Sequence, residues 1–211
     1  DPDKIGMVGY SRGGMMTYLA LKEQTLRGLN DIKAACTVGG TADLFINAEA
    51  REDMVNGVFI PLIGGTPTQL PEEFEARSAT YWADLINTPL LIQHGENDWR
   101  VLPEESIKLA DELEKYDKEY KLVTYPGDDH GLSNHARGYN EIFNWLGEHL
   151  DVTVNVNFNF LTTPTTEPGV FEGDYFINDD KGYRVTIPPS EWVARSSSAS
   201  CAPMDMLFDH I

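Results

Sequence analysis

The sequence predicts an α/β fold over residues 1–150, a parallel sheet with flanking helices, followed by a β-rich tail over residues 151–211. Three observations carry this expectation. Short apolar runs near residues 5–10, 32–38, 88–94 and 120–125 alternate with stretches whose apolar residues recur at helical spacing. The first run ends in a glycine-framed serine, Gly9-Tyr10-Ser11-Arg12-Gly13-Gly14, which reads as a tight turn from strand to helix. After Leu150 the pattern changes to strict alternation, D-V-T-V-N-V-N-F-N-F over residues 151–160.

Taken in order, residues 5–10 form a first strand, with Ile5, Met7 and Val8 as its strand-forming side chains. From Arg12 to about Gln24, Met15, Met16, Leu19 and Ala20 mark a helix. Residues 32–38 are nearly all apolar, as in a strand covered on both faces, and Gly39-Gly40 ends them. Cys36 in this run is expected to be a buried thiol. Residues 43–55 look helical, 61–71 read as a loop, and 72–85 look helical again, with Phe74, Ala76, Tyr81 and Trp82 available to pack. A third buried strand ends at His94. Residues 103–116 form a strong helix, with Pro103, Glu104 and Glu105 suited to its first turn and Ile107, Leu109, Ala110 and Leu113 as its inner face. A fourth strand spans 120–125, a loop 126–131, and a last helix 135–150.

Alternating strands and helices imply a parallel sheet with right-handed crossovers. In such sheets functional side chains gather beyond the carboxyl ends of the strands. Ser11 follows strand one, Asp98 strand three and His130 strand four, in the chain order serine, aspartate, histidine. A serine needs an adjacent base to become a nucleophile, and that base needs a carboxylate to orient it. His130 is the candidate base and Asp98 the candidate carboxylate. The Arg12 N–H, at the start of the helix, is the first candidate oxyanion donor. Gly9 and Gly13, two before and two after Ser11, are expected to be held small by close backbone approach, with Gly14 behind them. Glu96 and Asp43 are rival carboxylates, and His135 a rival base. Asp98 also suits an ordinary turn, and His130 a solvated loop. His94, at its strand end, reads as a structural histidine. Asp128 and Asp129 flank His130 in position to tune it.

Composition narrows the partners. The formal net charge is −18, with 13 basic against 25 acidic residues up to residue 150 and 3 against 9 beyond it. Both parts are acidic, which argues against nucleic acid and anionic membranes as partners. No apolar run reaches the length of a membrane span. The 2 cysteines, Cys36 and Cys201, form no disulfide framework. The 5 histidines fall at no zinc-ligand spacing, so neither a metal nor a cofactor is expected. No signal peptide is visible, which leaves cytoplasm and periplasm both open.

The runs G-Y-S-R-G-G-M, T-P-L-L-I-Q-H-G-E-N-D-W-R-V and Y-P-G-D-D-H-G resemble the catalytic domain of the prolyl oligopeptidase family of serine peptidases, over about residues 1–150. The resemblance implies the C-terminal half of an α/β-hydrolase, with Ser11 as nucleophile, Asp98 as acid and His130 as base. It implies peptide substrates, short or acylated. Family members carry further strands, the loop supplying a second oxyanion donor, and often a β-propeller before the serine turn. The expectation is therefore a fragment of a longer protein, its first strand an exposed edge to be covered by the missing N-terminal half or by another chain. An esterase with the same triad is the nearest alternative reading, and a non-catalytic interaction module the alternative of another class.

In the tail, residues 151–160 are expected as a strand, 162–169 as a Thr/Pro linker, 171–177 and 183–187 as a hairpin, and 196–200 as a serine-rich loop. The resemblance does not extend there, and the segment reads as a truncated second domain.

Overall fold

The computed structural model describes residues 1–132 and 135–153, together with strand backbone within residues 170–172, 175–178, 183–186, 192–196 and 206–210. The chain divides into two compact units, Asp1–Leu132 with Gly138–Val156, and Ser133–Arg137 with Asn157–Ile211.

The first unit is built on four parallel strands in the order β1-β2-β3-β4: β1 (Ile5–Tyr10), β2 (Ile32–Val38), β3 (Leu90–Gly95) and β4 (Tyr120–Tyr125). Helix α1 (Arg12–Leu26) joins β1 to β2, and α6 (Pro103–Lys115) joins β3 to β4. Alternating side chains of the central strands face opposite ways. Ala35, Leu90 and Ile92 meet Tyr18 and Leu21 of α1 and Leu109 and Leu113 of α6. Cys36 and Leu91 meet Ile142 of α7 (His135–His149), with Trp145 and Leu146 beside it. The sheet is thus a middle layer, and each leucine fully buried in it contributes roughly 1.5–3 kcal/mol. At Gly6 α7 lies close on the sheet, since a Cβ there would stand 2.8 Å from Leu146. On the outer strand β1, Ile5, Val8 and Tyr10 are exposed.

Between β2 and β3 the chain departs from expectation. Residues 43–55 do not make one helix. Asp43 caps α2 (Leu44–Ala50), accepting from the Phe45 and Ile46 N–H groups, and Arg51 breaks out of helical geometry at φ −132°, ψ 75°. A further turn α3 (Glu52–Met54) runs through a π-helical stretch, Val55–Phe59, into α4 (Ile60–Ile63). Pro61, expected in a loop, sits in the first turn of α4, where its missing N–H costs nothing. Residues 72–85, expected as one helix, are α5 (Pro71–Glu75) and two 3₁₀ turns, Ala79–Tyr81 and Ala83–Leu85. Here Ser78 bonds to the Phe74 carbonyl and accepts from the Leu44 N–H at 2.9 Å, so a tertiary partner outcompetes the helix. In α6, Ile107 is exposed, whereas Glu105 and Ser106 are buried with Leu109, Ala110 and Leu113.

The second unit holds strands β5 (Val170–Glu172), β6 (Tyr175–Asn178) and β7 (Tyr183–Thr186) in one antiparallel sheet, and β8 (Trp192–Ser196) paired with β9 (Met206–His210) in another. The β6–β7 pair is the expected hairpin. The preceding stretch is not one strand, because β5 folds back on β6 with Phe171 opposite Phe176. Of the strand expected at 151–160, residues 151–153 form none and 154–160 lie outside the described residues, as do the linker at 162–169 and residues 197–200 of the expected serine-rich loop, whose first residue, Ser196, instead ends β8.

Candidate active site

Ser11 stands between β1 and α1 at φ 54°, ψ −121°, a conformation that costs a residue with a side chain about 1–3 kcal/mol. The surroundings hold it there. Its N–H donates to the Val38 carbonyl at 2.9 Å, and its own carbonyl accepts from Gly14 at 2.8 Å. Two glycines make the turn possible. A Cβ on Gly9 would collide with the Gly13 carbonyl and the Thr17 hydroxyl, and one on Gly14 would stand 2.5 Å from the Gly40 Cα. Gly13 is different from the expectation, since a Cβ there would meet nothing within 4 Å. Arg12 is the first residue of α1, so its N–H has no acceptor one turn back and is free to meet an anion.

His130, in the loop after β4, is buried beside this turn. Its Nε2 lies 2.9 Å from Ser11 Oγ and its Nδ1 lies 2.6 Å from Asp98 Oδ2. The Tyr10 hydroxyl donates to the His130 carbonyl at 2.9 Å, and the two rings stack tilted with centroids 5.2 Å apart. The residue before the serine therefore anchors the histidine loop. Gly39 makes room for the pair: at φ +53° it passes so close that a Cβ would stand 3.2 Å from His130 Nδ1 and 3.3 Å from Asp98 Oδ2. At Gly95 a Cβ would run into the carbonyls of Asp128 and Asp129, so the loops carrying Asp98 and His130 touch there. The Asn97 N–H seals the contact by donating to the Asp128 carbonyl at 2.8 Å.

Asp98 is buried, and both of its oxygens are occupied. Oδ1 accepts from the backbone N–H groups of Arg100 and Val101 at 2.9 and 3.1 Å. Oδ2 faces His130 on one side and His94 Nε2, at 3.1 Å, on the other. Burial alone would raise this carboxyl, but the bonds from His130, His94 and Val101 outweigh it and hold it well below the usual carboxylate range. His94 has its tautomer fixed by its partners. Nε2 is also 2.9 Å from the Val101 carbonyl, which can only accept, so Nε2 carries the proton. Nδ1 then accepts from the Ser106 hydroxyl at 2.6 Å. Glu105, next in α6, is buried too and accepts from the Ala42 and Asp43 N–H groups and from Asn47. Burial pushes its carboxyl up to about 7 against the pull of those bonds.

The rival carboxylates are placed elsewhere. Asp43 serves as a helix cap and binds Lys108 and Thr80, and Glu96 is exposed and accepts from Thr124. The His135 side chain and its immediate neighbours lie outside the described residues. Among the described residues no cluster of histidine, cysteine, aspartate or glutamate could hold a metal ion, and no helix is long and apolar enough to cross a membrane. Sequence reasoning passed over Gly39 and Ser106, although the Gly39-Gly40 pair at a strand end was a visible sign of close approach.

A family model described as the prolyl oligopeptidase family matches residues 1–153. The chain belongs to the prolyl oligopeptidase family. It is 31% identical over 123 residues to the uncharacterized peptidase YtmA of Bacillus subtilis (strain 168), covering 58% of this chain and 46% of that protein. It is 32% identical over 168 residues to the uncharacterized peptidase YuxL of the same organism, covering 71% and 23%. A puromycin-hydrolyzing peptidase of Mycobacterium tuberculosis superposes with a TM-score of 0.65 at 29% identity, over 72% of this chain and 23% of that one. An acylaminoacyl peptidase in complex with Z-Gly-Gly-Phe-chloromethyl ketone shares the fold, with a TM-score of 0.59 at 20% identity, over 75% and 26%. The chain spans under half the length of the curated relatives it matches.

In this member of the prolyl oligopeptidase family, Ser11 and His130 open onto a cavity of about 400 Å³. One wall is apolar, with Met15, Leu44, Val58, Phe59 and Ile63 among its residues. This wall comes from α1 and from the α2–α4 segment, the part of the chain least regular in its helices.

Proposed function

We propose that this chain carries the catalytic residues of a serine peptidase, cleaving short or acylated peptides through an acyl-enzyme. Ser11 Oγ attacks the substrate carbonyl carbon while its proton passes to His130 Nε2. Asp98 holds His130 with Nδ1–H toward the carboxylate and stabilises the imidazolium. The Arg12 N–H, at the positive end of α1, faces the oxyanion of the tetrahedral intermediate. Collapse breaks the carbon–nitrogen bond, and the leaving amine takes the proton from His130. Water, activated by the same imidazole, then releases the acyl group from Ser11.

The observation that carries this reading is the continuous chain from Ser11 Oγ through His130 to Asp98, at 2.9 and 2.6 Å. An interaction module with no catalytic role has no need of a strained serine and a buried carboxylate aimed at one imidazole. The apolar wall beside Ser11 suits a peptide side chain, and the similarity to a puromycin-hydrolyzing peptidase favours small substrates.

The test is turnover of N-acylated peptide amides and of matching esters by the chain and by Ser11→Ala. Amide hydrolysis that Ser11→Ala abolishes is expected. Turnover of esters alone would establish the esterase instead, and turnover that survives Ser11→Ala would overturn the assignment of Ser11.

A further inference from the structure

The cavity beside Ser11 has a charge opposite to that of the chain. Of the five arginines within residues 1–132, four line it: Arg12, Arg51, Arg77 and Arg100. Among the described residues no aspartate or glutamate does, in a chain of net charge −18. Two of the four are already matched. Arg51 grips Asp53 through two parallel bonds of 2.8 and 2.7 Å, and Arg77 pairs with Glu73. Arg12 and Arg100 form no ion pair among the described residues. Arg100 is held in place by its surroundings: its guanidinium lies 5.4 Å from the Trp99 ring, Arg51 lies over the same ring at 5.1 Å, and Arg51 donates to the Arg100 carbonyl at 3.0 Å. Asp98, which accepts from the Arg100 backbone N–H, is buried and already engaged by two histidines.

Arg12 and Arg100 are both exposed, and a guanidinium recognises a carboxylate through paired bonds. From this arrangement we infer that the cavity selects substrates whose acyl-side residue carries a side-chain carboxylate, aspartyl or glutamyl. The methylenes lie along the wall formed by Met15, Leu44 and Phe59, and the carboxylate meets Arg12 and Arg100. Specificity then comes from the pairing of charge with apolar contact, because an uncharged side chain leaves the arginines unmatched. The inference rests on the peptidase reading above.

The experiment compares glutamyl, glutaminyl and leucyl members of one N-acylated peptide anilide series. The chain, Ser11→Ala and Arg12→Gln are assayed at low salt and in 0.5 M salt, a concentration at which surface charges are screened within roughly 5 Å. The expected result is a glutamyl kcat/KM at least about tenfold above glutaminyl, a ratio that shrinks in salt and collapses in Arg12→Gln. Glutaminyl or leucyl substrates cleaved as fast as glutamyl, by a route that needs Ser11, would overturn the inference and leave the peptidase standing. Absence of Ser11-dependent turnover across the series would overturn both.

Discussion

His94 Nε2 lies 3.1 Å from Asp98 Oδ2, the oxygen that also faces His130 Nδ1 at 2.6 Å. Two histidines thus share one oxygen, and only His130 reaches the serine. His94 is in turn fixed by Ser106 on α6, so the orientation of Asp98 is tied to the helix layer behind the sheet. Removing this support by His94→Leu leaves the Val101 carbonyl and one side of Asp98 without a donor. The expected outcome is a loss of about 1–3 kcal/mol in stability and about tenfold in kcat, with KM little changed. His94→Gln restores a donor and is expected to recover most of the kcat. Steady-state kinetics and thermal unfolding on both variants check this. Equal kcat in His94→Leu and the parent chain would show that Asp98 needs no second grip.

The three glycines of the serine turn are expected to differ sharply. Gly9→Ala and Gly14→Ala each force backbone apart, at Gly13 and Gly40, and are expected to destabilise by more than about 2 kcal/mol. Gly13→Ala adds a methyl into open space and replaces a helical glycine, so it is expected to be neutral or to stabilise by up to about 1 kcal/mol. Denaturant unfolding of the three variants separates them, and equal losses at all three positions would contradict the packing described.

Glu105 links stability to pH. Its carboxyl is raised from an ordinary 4.5 to about 7 in the folded chain, first by burial. The folded state therefore holds a proton that the unfolded state has released between those values. The stability this proton contributes is complete below about pH 4.5 and is lost as pH rises to about 7. Over that window the parent chain is expected to lose about 1–3 kcal/mol from this group, and Glu105→Gln to lose none of it. Thermal unfolding of both proteins at pH 5, 6, 7 and 8 measures the difference in slope. Parallel curves would mean that Glu105 titrates as it does when unfolded.

The sheet was legible because β1, β2 and β4 are short apolar runs bounded by glycine, proline or polar turns, and their ends coincide with those expected from the pattern. That Ser11, Asp98 and His130 meet was legible because each follows a strand in a parallel sheet, where topology alone brings them to one edge. The α2–α4 segment was not, because its breaks come from single backbone events such as the non-helical geometry at Arg51. Residues 72–85 misread as a helix because Ser78 and Trp82 find partners far along the chain or across a turn, at Leu44 and Glu75. His94, Ser106 and Gly39 act through contacts between elements, which periodicity does not record. The arginine lining of the cavity was hidden for the same reason, since Arg12, Arg51, Arg77 and Arg100 are scattered over 89 positions and meet only in the folded chain.

The most direct test of the central claim is labelling by a fluorophosphonate probe, with the adduct located by peptide mapping. One adduct is expected, on Ser11, absent in Ser11→Ala and slowed by at least about a thousandfold in His130→Ala and Asp98→Asn. Labelling at another serine, or labelling of Ser11 at an unchanged rate without His130, would contradict it.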